Sequence, residues 1–189
     1  MDNGTPREMA GSNDGGDALV LIHASATGPR AYSAFAKEMR AKLPGCAVIT
    51  PALAGYDEKD LPPGQDNLAR NVEIARGALR AAAPERRILF GHSMGGLVAL
   101  LTACALVDAG EPIAALVLYD PILIDLLDPA VPDEKEALDW DRGIIARLRA
   151  SVDAGDPEAG VRAFVEAWNE TRWEALPSKV RDGLVAMAD

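Results

Sequence analysis

Apolar residues along this chain follow two rhythms. Between residues 18 and 119, short continuous apolar runs alternate with longer stretches in which apolar residues recur every three or four positions. The runs Ala18–His23, Cys46–Thr50, Ile88–Phe90 and Ala114–Tyr119 have the length and continuity of strands buried on both faces. Tyr32, Phe35, Ala36, Met39 and Leu43 fall at helical spacing, and Pro44-Gly45 stops that helix. Leu68, Val72, Ala75, Leu79 and Ala82 mark a second amphipathic helix, closed at Pro84. Met94–Asp108 is apolar on nearly every side, the pattern of a helix buried at the centre of a domain. Strands alternating with helices at this spacing predict right-handed crossovers and a parallel sheet. The fold class is α/β, a three-layer sandwich around a mostly parallel sheet.

After Tyr119 the rhythm changes, and no further strand is predicted. Ile122–Leu127 is apolar and leads to a proline-rich turn at Asp128–Pro132. Trp140, Ile144 and Leu148 share one helix face. Asp156-Pro157 opens another helix, with aspartate as N-cap and proline at the first position. Val161, Phe164, Val165 and Trp168 give it an apolar face, Trp173 and Leu176 precede Pro177, and Val180, Leu184 and Met187 suggest a last helix. Residues 122–189 therefore read as a helical cap segment on a core spanning 18–121. Part of the cap's apolar face (Trp140, Phe164, Trp168, Met187) is expected to be exposed or self-associating. Residues 1–17, rich in Gly, Asn and Asp without an apolar period, read as a mobile tail, and residues 51–65 read as a loop.

Ligands of parallel α/β sheets bind beyond the carboxyl ends of the strands. Three special sites fall there: His23–Ala26, His92–Met94 and Asp120. The middle one is Gly91-His92-Ser93-Met94-Gly95, a G-x-S-x-G pattern between an apolar strand and an apolar helix. That setting gives the pattern its meaning as a nucleophile elbow: the serine takes a strained turn, and flanking glycines leave room for it. Ser93 is then a nucleophile at the N-terminus of a helix, where free N–H groups favour negative charge.

Composition narrows the setting. The chain has 189 residues, and no apolar run reaches the length of a membrane span. No signal peptide is visible, so the cytoplasm is the expected compartment. A net charge of −10 argues against nucleic acid as a partner. Cys46 and Cys104 lie in apolar segments and read as small buried hydrophobes, not as a disulfide or metal site. No metal and no organic cofactor is implied.

These residues together resemble the α/β-hydrolase superfamily over roughly Ala18–Asp189. The stretch Ala18–Gly28 looks like the strand and loop that carry the oxyanion hole, with Ala24 in place of the usual glycine after His23. Val48–Tyr56 looks like the family's next strand and its Pro-x-Leu-x-Gly-Tyr loop, and Gly91–Gly96 is the family's commonest elbow. Gly155–Asn169, with Trp173 and Leu176-Pro177, is similar to the helical cap of single-domain bacterial hydrolases. The resemblance implies a serine hydrolase acting on a small-molecule ester or similar acyl substrate. It implies the backbone N–H groups of Met94 and Ser25 as oxyanion donors, and His23, Ala24 and His92 as residues around the substrate, with His23 shaping the oxyanion loop. Asp120 stands at one of the two places where the superfamily keeps its triad acid, the other reading being an Asp-Pro turn that ends the strand. The family's order is nucleophile, acid, histidine. This chain has only two histidines, His23 and His92, and both precede Ser93. The triad is thus incomplete as written, and the resemblance implies a chain truncated at its C-terminus, the acid loop and histidine strand lying past Asp189. The alternative reading is a non-catalytic binding or interaction protein, or a gene fragment, with the same fold.

Overall fold

A computed structural model describes residues 16–25, 27–56, 67–169 and 171–188. They fall into two compact units, 1–121 and 122–189.

The first unit is built on four parallel strands: β1 (Asp17–Ile22), β2 (Ala47–Ile49), β3 (Arg86–His92) and β4 (Ala115–Tyr119), in the order β2-β1-β3-β4. Three helices connect them: α1 (Ser33–Lys42), α2 (Asn67–Ala82) and α3 (Met94–Asp108). The chain steps from β1 to β2 on one side, then crosses back over β1 to place β3 on the other. Successive side chains of a strand point to opposite faces, and the two cores obey that period. Leu19, Leu21, Ile88 and Phe90 pack with Ala36, Tyr32 and Met39 of the α1 layer. Ala18, Val20, Ile22 and Leu89 pack with Ala75 and Leu79 of α2 and Val98, Ala99, Ala103 and Leu106 of α3.

Element ends differ from the periodicity by a residue or two. Asp17, assigned by pattern to the tail, opens β1, and its carboxylate takes a two-pronged pair from Arg86 at 2.7 and 2.6 Å. That pair holds the Asp17 carboxyl below the ordinary aspartate range. Residues 1–15 of the expected tail lie outside the described residues, as do 57–65 of the expected loop. Helix α3 is buried on one side only: Val107 is 58% exposed, and Cys104 is exposed beside it. This corrects the reading of both cysteines as buried. A single sheet covers one face of the helix, however apolar the rest. Cys46 is half-buried, and burial raises its thiol pKa.

The second unit is helical, and no strand occurs among its described residues. Helix α4 (Pro132–Asp153) runs unbroken for 22 residues, with Pro132 at its start and Asp133 and Glu134 in the first turn. Helix α5 (Pro157–Asn169) follows, and the Asp156 carboxylate accepts the Ala159 N–H at 3.1 Å as its cap. Gly160 lets the two helices meet: a Cβ there would stand 2.8 Å from the Ser151 Cβ. Val161, Val165 and Trp173 form the core, with Leu184 of α6 (Ser178–Val185) against it. Trp173 is clamped by two α5 carboxylates, its N–H donating to Glu166 at 2.9 Å and its indole N–H to Glu158 at 3.2 Å. Trp140, Trp168 and Met187 are exposed, whereas Phe164, expected among them, is half-buried against this core. No helix among the described residues is long and apolar enough to cross a membrane.

Candidate active site

Register alone brings the site residues to one sheet edge. Ile22 of β1 stands beside Gly91 of β3, Gly91 beside Leu118 of β4, and His92 beside Tyr119. The loops leaving these three strands begin at His23, Ser93 and Asp120. The chain's direction of winding reverses between β1 and β3, and such a reversal opens a crevice at the carboxyl edge of a parallel sheet.

Ser93 occupies the turn between β3 and α3 with φ 54° and ψ −122°. Glycine dominates that region of backbone space, and a side chain there carries about 1–3 kcal/mol of strain. The neighbours enforce it. A Cβ on Gly91 would meet the Gly95 carbonyl oxygen at 2.2 Å. A Cβ on Gly95 would meet the carbonyl oxygens of Ile22 and His23 at 2.3 and 2.5 Å. The first turn of α3 is therefore pressed onto the backbone where β1 ends. Met94, as the first residue of α3, has an N–H with no carbonyl inside the helix to receive it.

Asp120 is bracketed by two contacts to the elbow. The Ser93 N–H donates to the Tyr119 carbonyl at 3.1 Å. On the other side, Pro121 packs on the first turn of α3, where a Cβ on Gly96 would be 2.7 Å from the proline Cβ. Asp120 itself is exposed and has φ 45°, the left-handed region, directly before a proline. His92 is half-buried, and its ring lies against that of Tyr119 with centroids 5.0 Å apart.

His23 is fully buried, and both ring nitrogens engage the protein. The Leu53 N–H donates to Nε2 at 3.2 Å, and Nδ1 lies 2.9 Å from the Ala24 carbonyl oxygen. Its ring also meets Tyr56 edge-on, centroids 4.3 Å apart. Ala24, the other expected substrate neighbour on this loop, is buried as well. Ser25 is half-exposed at the start of the loop.

Sequence reasoning missed two polar residues here. Thr27 donates its hydroxyl to the Ala24 carbonyl at 2.9 Å. Asn71, buried in α2, accepts the Ala54 N–H at 2.8 Å, so the 51–56 segment is tied down at Leu53 and again at Ala54. Asn71 was detectable: it lies on the same helix stripe as Leu68, Ala75 and Leu79, a polar residue among apolar ones. Thr27 gave no such sign. Among the described residues, no cluster of His, Cys, Asp and Glu could hold a metal ion.

A family model described as "Alpha/beta hydrolase family" matches residues 19–188. The chain belongs to the alpha/beta hydrolase family. Among solved structures it is similar to MenH from S. aureus, at 22% identity and a TM-score of 0.62, over 93% of this chain and 65% of that one. It is similar to the 2-hydroxy-6-oxo-6-phenylhexa-2,4-dienoate hydrolase BphD from Rhodococcus sp. strain RHA1, at 19% identity and a TM-score of 0.60, over 92% and 58%. It is similar also to the esterase RhEst1 from Rhodococcus sp. ECU1013, at 20% and 0.57, over 92% and 60%. At these identities the likeness speaks for the fold. The chain spans under two thirds of the length of each of these structures.

Proposed function

We propose that this chain carries the nucleophile, the oxyanion donors and the acid of a serine hydrolase for an ester or similar small acyl substrate. Ser93 attacks the acyl carbon, and the N–H groups of Met94 and Ser25 receive the oxyanion. Asp120 orients an imidazole that takes the Ser93 proton. The observation that carries the reading is Ser93 itself, held at φ 54° between a parallel strand and a helix N-terminus. The imidazole comes from polypeptide other than these 189 residues, because His23 is buried with both nitrogens engaged and His92 adjoins Ser93 on the elbow. The compartment in this reading is the cytoplasm, the net charge of −10 disfavours nucleic acid as a partner, and exposed cap aromatics such as Trp140 and Trp168 allow self-association.

A second reading is a non-catalytic binding protein or a gene fragment with this fold. The absence of any histidine after Ser93 in the sequence favours it. One experiment separates the two. The full chain is treated with a fluorophosphonate in the presence of imidazole as an external base, and the adduct is located by peptide mass. The hydrolase reading expects label on Ser93, none in Ser93→Ala, and almost no p-nitrophenyl acetate turnover by the chain alone. An unlabelled Ser93 supports the second reading. Turnover lost in Ser93→Ala and in His92→Ala would move the base to His92.

A further inference from the structure

We propose that Thr27 is a positioning residue that, together with His23, aims the Ser25 N–H at the reacting oxygen. The inference rests on the reading of Ser25 as an oxyanion donor and adds how that donor is held.

The Ala24 carbonyl oxygen accepts two bonds, from the Thr27 hydroxyl at 2.9 Å and from His23 Nδ1 at 2.9 Å. A carbonyl has two lone pairs, so both are used. A carbonyl only accepts, so Nδ1 must carry the ring hydrogen. The Leu53 N–H donates to Nε2 at 3.2 Å, so Nε2 must be bare. The two partners select one neutral tautomer, with no reference to pH.

No peptide bond among the described residues is cis. In a planar trans peptide the C=O of one residue and the N–H of the next point in opposite directions. Fixing the Ala24 carbonyl therefore fixes the Ser25 N–H, pointed away from His23 and Thr27. Rotation of this one peptide would replace a donor with a carbonyl oxygen, repelling the charge that the site is built to accept. Ala24 stands where the family's loop resembles His-Gly-x, and an alanine peptide in this loop is held by the flanking donors. His23 is wholly buried, whereas Thr27 is exposed, so Thr27 can be changed without disturbing the core.

The test uses the full chain with imidazole as base and follows the rate of Ser93 phosphonylation. Thr27→Val keeps the shape and removes the hydroxyl. Its rate should fall about tenfold, a partial misalignment against the 10²–10³ expected for outright loss of a donor. Thr27→Ser should return to within about twofold of the parent, and all three chains should share one melting temperature. Long-range proton–nitrogen NMR should show His23 with hydrogen on Nδ1 and none on Nε2. Thr27→Val labelling at the parent rate, or a His23 carrying its hydrogen on Nε2, overturns the inference and leaves Ser93 as nucleophile intact. A parent chain whose Ser93 is never labelled overturns the hydrolase reading and this inference with it, even with the His23 tautomer as expected.

Discussion

The N–H of Ser93 donates to the carbonyl of Tyr119 across 3.1 Å. This one bond joins the end of β4 to the elbow at the point where both chains enter the left-handed region, Ser93 at φ 54° and Asp120 at φ 45°. The bond thus joins the peptide groups that lead into two positive-φ residues, Ser93 just after β3 and Asp120 just after β4. Strain of this kind persists only where the surroundings over-determine it. Here the surroundings are the glycine contacts at 91, 95 and 96.

Relief of that strain is measurable. Ser93→Gly should raise stability by about 1 kcal/mol, the released strain less the added freedom of the unfolded chain. The melting temperature should rise by about 2–4 °C. Ser93→Ala keeps the Cβ and should gain nothing. Equal melting temperatures for the two variants would contradict a strained serine.

Two glycines should respond in opposite directions to alanine. Gly95→Ala drives a Cβ into the backbone oxygens of Ile22, the last residue of β1, and of His23 just after it, and should cost more than about 4 kcal/mol, or prevent folding outright. Gly77 in α2 has nothing within 4 Å of its Cβ position, and Gly77→Ala should stabilise by about 0.5–1 kcal/mol. Urea unfolding of the two variants beside the parent decides this.

Asn71→Ala should cost about 1–3 kcal/mol, because it leaves the Ala54 N–H without its buried acceptor. Asn71→Asp retains an acceptor oxygen and should lose less. Hydrogen exchange at Ala54, slow in the parent and fast in Asn71→Ala, would locate the effect in the 51–56 segment.

Acid should loosen the helical unit through Glu166. The Trp173 N–H holds the Glu166 carboxyl below the ordinary glutamate range, and Arg162 adds to this. A carboxyl lowered in the folded state contributes its stability in full above the unfolded value, about 4.3. That contribution drains away as pH falls through the lowered folded value. Glu166→Gln should be less stable near neutrality and show a shallower acid limb, followed by tryptophan fluorescence between pH 6 and 2, on the order of the carboxylate range.

Much of this architecture was legible in the sequence because strands buried on both faces leave continuous apolar runs, and prolines and glycines punctuate them. The four strands and α1–α3 fell within a residue or two of their observed ends for that reason. The elbow was legible because its glycines and serine are consecutive. The unbroken length of α4 was not, since its apolar positions thin out toward Pro132 and a proline-rich stretch reads as a turn. The burial of α3 was overestimated because an apolar helix loses its period, and only the packed structure says which side the sheet covers. Least legible was the latch on the loop that follows β1. The bond from Leu53 to His23 spans 30 residues, and no local pattern encodes it.

The contacts of Gly91, Gly95 and Gly96 bear on how such a sequence drifts. Each excludes a side chain for reasons of volume, with or without chemistry at the site. A descendant that abandoned catalysis would keep all three glycines, held by the demands of folding alone. The letter between them is under the reverse pressure, because a glycine at position 93 would relax the backbone. Within this stretch, the serine alone stands against the interest of stability. A glycine at position 93 would fold at lower cost than the serine this chain carries, which sits at φ 54°.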